Sequence, residues 1–144
     1  MKKAQYPPAE LKYGENLMSI ENFETYTGEV ERGNPYNTTF VIRVCSGVFS
    51  GYAGCEYDIK QFRVFVAELR EMYRFKRSSV ELSEICYGST VHFSMNKTGK
   101  IEVSGEIYGE AKEHSLTFVF AADQTSLLPF VEALERMIAQ SALN

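Results

Sequence analysis

Two histidines, three cysteines and a pair of strand carboxylates are the residues of this chain whose types could do chemistry. His92 and His114 are the candidate general bases or metal ligands, because imidazole titrates near neutrality. Neither has a cysteine or carboxylate at metal-ligand spacing. His92 falls on the polar side of a strand pattern and His114 in a turn, so both read as surface residues. Cys45, Cys55 and Cys86 would act as nucleophiles only as thiolates. They are odd in number and lack any Cys-x-x-Cys spacing. Cys55 shares a strand face with Gly51 and Ala53, where a thiol is an inert packing group.

Three further patterns invite a chemical reading and have a simpler one. Glu102 and Glu106 lie on one strand face, and paired carboxylates can do acid–base work. That work needs a desolvating pocket, whereas Thr90, Ser94 and Thr117 give this face a solvated character. Ser46–Gly54 is glycine-rich like a phosphate loop. No Gly-Lys-Ser/Thr follows it, and it does not open directly into a helix. Asp123-Gln124-Thr125 is explained by a helix N-terminus, where side-chain oxygens accept free N–H groups. No catalytic, cofactor-binding or metal-ligating residue is therefore expected.

The remaining composition agrees. Of 144 residues, 44% are hydrophobic, including ten Phe and nine Tyr. That is enough for one domain with its own core. The net charge of −4 disfavours nucleic acid as a ligand and suits a partner with a basic surface. The opening Met-Lys-Lys is followed by no apolar run. No signal peptide or membrane span is expected, and the expected location is the cytoplasm.

These side chains are positioned by elements that the sequence outlines. Residues 1–15 read as a loose N-terminal arm, with Pro7-Pro8 blocking regular pairing, and residues 16–144 as a single domain. Leu17–Phe23 forms a strand, and Gly28–Asn37 a loop. Phe40, Ile42 and Val44 alternate on a second strand, which returns as Phe49–Tyr57. Asp58 then caps a helix, with Gln61 at capping-box spacing and Tyr57 and Phe62 placed as a hydrophobic staple. Ile59, Phe62, Phe65, Val66, Leu69, Met72 and Tyr73 recur at helical spacing. Val80–Glu84 is a short strand. Val91, Phe93 and Met95 lead through a Gly99 turn to Ile101, Val103, Gly105 and Ile107. Leu116, Phe118 and Phe120 follow on a third strand, where Gly105 leaves room for a bulky ring. A last helix carries Leu127, Phe130, Val131, Leu134, Met137 and Ile138, with Pro129 in its first turn. The strand–helix unit of Ser46–Phe75 is echoed by Ser115–Ile138. The expected fold is α+β: an antiparallel sheet of about five to seven strands with two helices packed on one face.

Strand alternation gives one more inference. If the helices cover the face with Phe93, Val103 and Phe118, the opposite face presents Thr90, His92, Ser94, Glu102, Ser104, Glu106, Thr117 and Val119. These residues are the candidate partner-binding surface.

The order of elements also resembles a group of uncharacterised bacterial domains that includes the WapI-type immunity proteins. The resemblance runs from Phe40 to Ile138. It rests on Gly47, Phe49, Ser50, Gly51, Phe62, Leu69, Gly99, Phe120, Asp123, Gln124, Thr125 and Leu127, with Val48 inserted in the turn. It implies a non-enzymatic protein that binds a protein partner, such as a basic toxin domain, and it carries over no catalytic residues. An assembly or binding module with another partner is the alternative, and a small enzyme the third reading. The surface leaves a homo-oligomer open.

The spacing of Cys and His leads to a first expectation. The purified protein should hold no stoichiometric metal and no disulfide on which its stability depends. Elemental analysis finding one zinc per chain, or a large loss of stability under reductant, would contradict it.

Overall fold

The computed structural model describes residues 7–141. The first four strands form an antiparallel meander: β1 (Ala9–Tyr13), β2 (Asn16–Thr25), β3 (Thr38–Ser46) and β4 (Phe49–Tyr57). Helix α1 (Thr27–Glu31) interrupts it, and helix α2 (Ile59–Tyr73) closes it. A second meander repeats the pattern with β5 (Ser79–Ser83), β6 (Thr90–Met95), β7 (Lys100–Tyr108) and β8 (Ser115–Asp123), closed by α3 (Gln124–Ser141). A single 3-10 turn, Glu110–Lys112, lies before β8. No helix among the described residues is long and apolar enough to cross a membrane.

The α+β class stands, and its strands divide between two sheets of four. The division follows from where the helices go. Helix α2 packs against β5 and α3 against β1, and the helices also touch each other. Each helix therefore bridges the two sheets, packing on the inner face of its own and covering the first strand of the other. Two further expectations are corrected. The loose arm contains β1, where Ala9 and Leu11 are fully buried. Pro7 and Pro8 merely precede that strand, and residues 1–6 lie outside the described residues. The loop from Gly28 to Asn37 begins with most of α1.

Helix α2 starts where a cap is supplied twice. Asp58 is extended (φ −90°, ψ 128°), and its carboxylate accepts the Lys60 N–H at 3.0 Å. The second acceptor is Asn37 Oδ1, which takes the Ile59 N–H at 2.8 Å and so supplies from a distant loop a cap beyond the capping box expected at Asp58 and Gln61. Tyr57 meets Phe62 edge-on at 6.3 Å, as a staple should. Six residues of α2 are buried: Ile59, Phe62, Phe65, Val66, Leu69 and Met72. Five have buried counterparts 65 residues later, at Leu127, Phe130, Val131, Leu134 and Met137. Arg70 and Glu135 occupy equivalent positions and pair with each other, Arg70 Nε lying 3.0 Å from Glu135 Oε2. Ala53, Cys55 and Tyr57 of β4 likewise match buried Phe118, Phe120 and Ala122 of β8. The echo between the two strand–helix units thus extends to a full duplication of four strands and a helix.

One close approach sits within the second sheet at Gly105, and one contact through Glu84 joins the two sheets. Phe118 pairs with Gly105 as the small residue suggested. The space above Gly105 is nevertheless closed by backbone. A Cβ there would lie 2.1 Å from the Thr90 carbonyl oxygen and 3.0 Å from Val91 Cα. Buried Glu84 meanwhile clips the sheets together. Its carboxylate accepts the N–H groups of Glu56 (3.0 Å), Cys86 (2.7 Å), Tyr87 (2.8 Å) and Gly88 (2.9 Å). Burying a carboxylate is tolerable only with such a full set of donors.

Three stability predictions rest on these contacts. Phe62→Ala should cost about 3–5 kcal/mol through lost burial and a cavity. Asp58→Ala should cost about 0.5–2 kcal/mol, at the low end because Asn37 still caps the helix. Gly105→Ala should exceed the ~1–3 kcal/mol of ordinary overpacking, since the obstacle is backbone. Denaturant melts of the three variants would check this order.

Candidate functional site on the outer face of the second sheet

The outer face of β5–β8 is built by strand alternation. Val80, Leu82, Val91, Phe93, Met95, Ile101, Val103, Ile107, Phe118, Phe120 and Ala122 turn inward and are buried. Their neighbours therefore turn outward. The register sets these neighbours in three rows across the strands. Ser83, Thr90, Glu106 and Thr117 form one row. Glu81, His92, Ser104 and Val119 form the second, and Ser79, Ser94, Glu102 and Ala121 the third. All eight residues expected on this face are on it. Thr90, Glu102, Ser104, Glu106, Thr117 and Val119 line an open concavity of about 570 Å³, with Gly105 and Phe118 at its floor.

The side chains of this face are held in place by one another. Glu106 accepts hydrogen bonds from the Tyr108 hydroxyl and, at 2.8 Å, from Thr117 Oγ1. Those bonds, Tyr108 first, hold Glu106 below the usual carboxylate range, and the same contact pushes the Tyr108 phenol up. Glu106 is thus kept ionised, which unsuits it as a general acid. Residues four apart on a strand lie roughly 13 Å apart at ~3.3 Å per residue. A carboxylate pair that cleaves glycosides needs about 5–9.5 Å. His92 Nε2 is 2.9 Å from Ser79 Oγ, so its polar partner is a strand neighbour. Val119 is 60% exposed and supplies the apolar part of the face.

The other candidate groups take structural places. Burial pushes the Cys55 thiol far up, with the charge of Glu84 adding to the effect. Cys86 is raised by desolvation and then by Glu56. Neither is poised as a thiolate. Asp123 Oδ1 accepts the Ser126 N–H at 2.8 Å, and Gln124 Nε2 donates to the Tyr73 carbonyl at 2.6 Å. The tripeptide at 123–125 therefore starts α3 and ties it to the end of α2. In the glycine-rich segment, Gly47 (φ +63°) makes the β3–β4 turn. Among the described residues no three His, Cys, Asp or Glu side chains are grouped to hold a metal ion.

Sequence reasoning missed Glu81 as a member of the face. Its signal was present in Ser79–Ser83, where buried Val80 and Leu82 alternate with exposed Glu81. What could not be read was that β5 pairs with β6, which places Glu81 beside His92.

Comparison with known proteins gives two kinds of likeness and one blank. The chain matches no curated protein. Its fold is similar to that of Trypanosoma bruciei MRP1/MRP2, with a TM-score of 0.53 at 9% identity, over 96% of this chain and 83% of that one. It is also similar to WHY1 from Arabidopsis thaliana, with a TM-score of 0.51 at 8% identity, over 96% of this chain and 86% of that one. At such identities the likeness is one of fold alone. Residues 17–141, nearly all of the two meanders and their helices, match the model of the Immunity protein WapI-like family. The chain belongs to the WapI-like immunity protein family.

Proposed function

We propose that this protein is a non-enzymatic bacterial immunity protein that neutralises a toxin domain by binding it in the cytoplasm. We place the docking surface on the outer face of β5–β8, with Thr90, His92, Ser94, Glu102, Ser104, Glu106 and Thr117 as its polar contacts and Val119 as its apolar one. Family membership supports the immunity role. The observation that carries the choice of surface is the concave face itself, whose carboxylates Glu81 and Glu102 form no ion pair among the described residues.

The outer face of the first sheet differs in this respect. There Arg43 Nε lies 3.3 Å from Glu21 and the guanidinium sits 5.1 Å over the Tyr52 ring. Its charges are already matched. On the second sheet the carboxylates are left for a partner, and a net charge of −4 steers a basic one. A basic toxin domain fits this face better than nucleic acid does, since phosphate would meet Glu81, Glu102 and Glu106. The reading calls for no cofactor, because binding alone blocks the toxin.

The test takes a toxin domain sought among the neighbouring genes and co-expresses it with this chain. Co-expression should restore growth, and calorimetry should give a specific complex. Glu102→Lys should weaken that complex about tenfold or more, a loss of ~1.4 kcal/mol, mostly through slower association at low salt. Its melting curve should not move, because Glu102 has no hydrogen-bond or ion-pair partner among the described residues. Unchanged affinity in the folded variant would place the interface elsewhere.

A further inference from the structure

The segment between α2 and β5 gathers positive charge in a chain whose net charge is −4. Helix α2 ends in a left-handed turn. The Phe75 N–H donates to the Met72 carbonyl and the Lys76 N–H to the Glu71 carbonyl, each at 2.9 Å. The left-handed residue of such a turn is usually glycine. Here it is Phe75 (φ +59°), a bulky side chain in a conformation that sterics disfavour. Its ring tip reaches the β6–β7 turn, where a Cβ built on Gly99 would lie 3.5 Å from Phe75 Cζ. That contact still leaves Phe75 50% exposed. An aromatic ring is thus displayed at a position where glycine would relieve strain.

The Met95 N–H donates to the Ser78 carbonyl at 2.9 Å, which sets this segment beside the β6–β7 turn. Between the two lies an open concavity of about 300 Å³. Phe75 and Met95 give it an apolar part, and Lys76, Arg77 and Lys97 line it with cations. No carboxylate among the described residues lines it. Arg77 is tied back to Glu68 at 2.9 Å and to Glu71 at 3.6 Å. Lys76, Lys97 and neighbouring Lys100 are exposed and form no ion pair among the described residues.

We infer that this concavity docks an acidic segment of a protein partner. An apolar side chain of that segment rests on Phe75, and its carboxylates meet Lys76, Lys97 and Lys100. Unpaired cations around a displayed aromatic ring complement such a segment in charge and in polarity.

Other occupants fit less well. A free phosphate is held by converging backbone N–H groups, and this turn has spent its own. Asn96 Oδ1 accepts the Thr98 and Lys100 N–H groups, each at 3.0 Å, and the Asn96 carbonyl accepts the Gly99 N–H at 3.2 Å. Nucleic acid needs a basic stripe that tracks its backbone. This patch stops at Glu102, the next outward residue after Lys100 on β7. A second copy joined two-fold through the patch would set lysine against lysine. The inference stands whether or not the outer face of β5–β8 holds a toxin.

An amide-shift NMR titration of the full chain at low salt tests it, with the peptide Glu-Asp-Leu-Phe-Asp-Glu as probe. Shifts should gather at residues 75–78 and 95–100. Inorganic phosphate and a short oligothymidylate should bind less tightly than the peptide. Lys97→Glu should weaken the peptide about tenfold or more and leave the melting temperature unchanged, because Lys97 sits in an exposed turn. Phe75→Gly should weaken it by a similar factor with the melting temperature unchanged or higher, since glycine suits the left-handed position. If Phe75→Gly fails to fold, Lys97→Glu carries the test alone. Shifts confined to other residues, undiminished affinity in a folded variant, or tighter binding of phosphate or oligothymidylate would overturn the inference. So would self-association of the chain through these residues.

Discussion

A continuous run of phenylalanine rings holds the two sheets to the two helices, and the rest of the structure depends on it. Phe23 and Phe40 of the first sheet lie 4.9 Å and 5.4 Å from Phe62 of α2. Phe62 meets Phe65 at 5.8 Å, Phe65 meets Phe93 of the second sheet at 6.0 Å, and Phe93 meets Phe130 of α3 at 6.3 Å. Each buried ring contributes roughly 1.5–3 kcal/mol by area, and offset or tilted pairs add about 0.5–1.5 kcal/mol. No single sheet here could bury its inner face alone. The shared core makes the meanders one unit.

That core commits one face of each sheet and thereby releases the other. Residues on the outer face of β6–β8 sit on strands whose inward neighbours are locked in the ring stack. Their spacing is set by the ladder. On the proposed reading, this face meets its partner with little ordering left to be done on binding. It is poorly suited to catalysis: Glu106 is held ionised by Tyr108 and Thr117, and the concavity is open to solvent. Glu84 shows the contrast within the same chain. That carboxylate is buried, yet four backbone N–H groups consume it, and its work is to clip β4 to the loop before β6.

The internal repeat places complementary residues at equivalent positions. Ile42 stands opposite Ala53 in the first sheet, while Gly105 stands opposite Phe118 in the second, so bulk has moved from one strand to its neighbour. A Cβ on Gly51 would meet Leu116, its own counterpart in β8, at 3.2 Å. Arg70 and Glu135 are counterparts that became an ion pair. Residues near the axis relating two identical halves would meet their own kind. In this chain those positions hold unlike residues that pack and pair.

The amino-acid sequence by itself determined the local elements and the faces they present. Helix α2 was legible from Asp58 and the spacing of Phe62, Phe65, Val66 and Leu69. The outer face of β6–β8 was legible from alternation alone, because the side-chain period of a strand is fixed at two. These signals are local, carried by residues within one turn or one pleat of each other. Pairing was not legible. That eight strands form two sheets, that Glu81 stands beside His92, and that Glu84 binds backbone from β4 depend on contacts between distant segments. Strand β1 shows the limit most plainly. Its five residues follow two prolines and look like an arm, but Ala9 and Leu11 become core once β2 and α3 supply a surface to bury them. A short strand has no structure of its own, because its hydrogen bonds and buried area both come from partners. Only the tertiary structure could decide it.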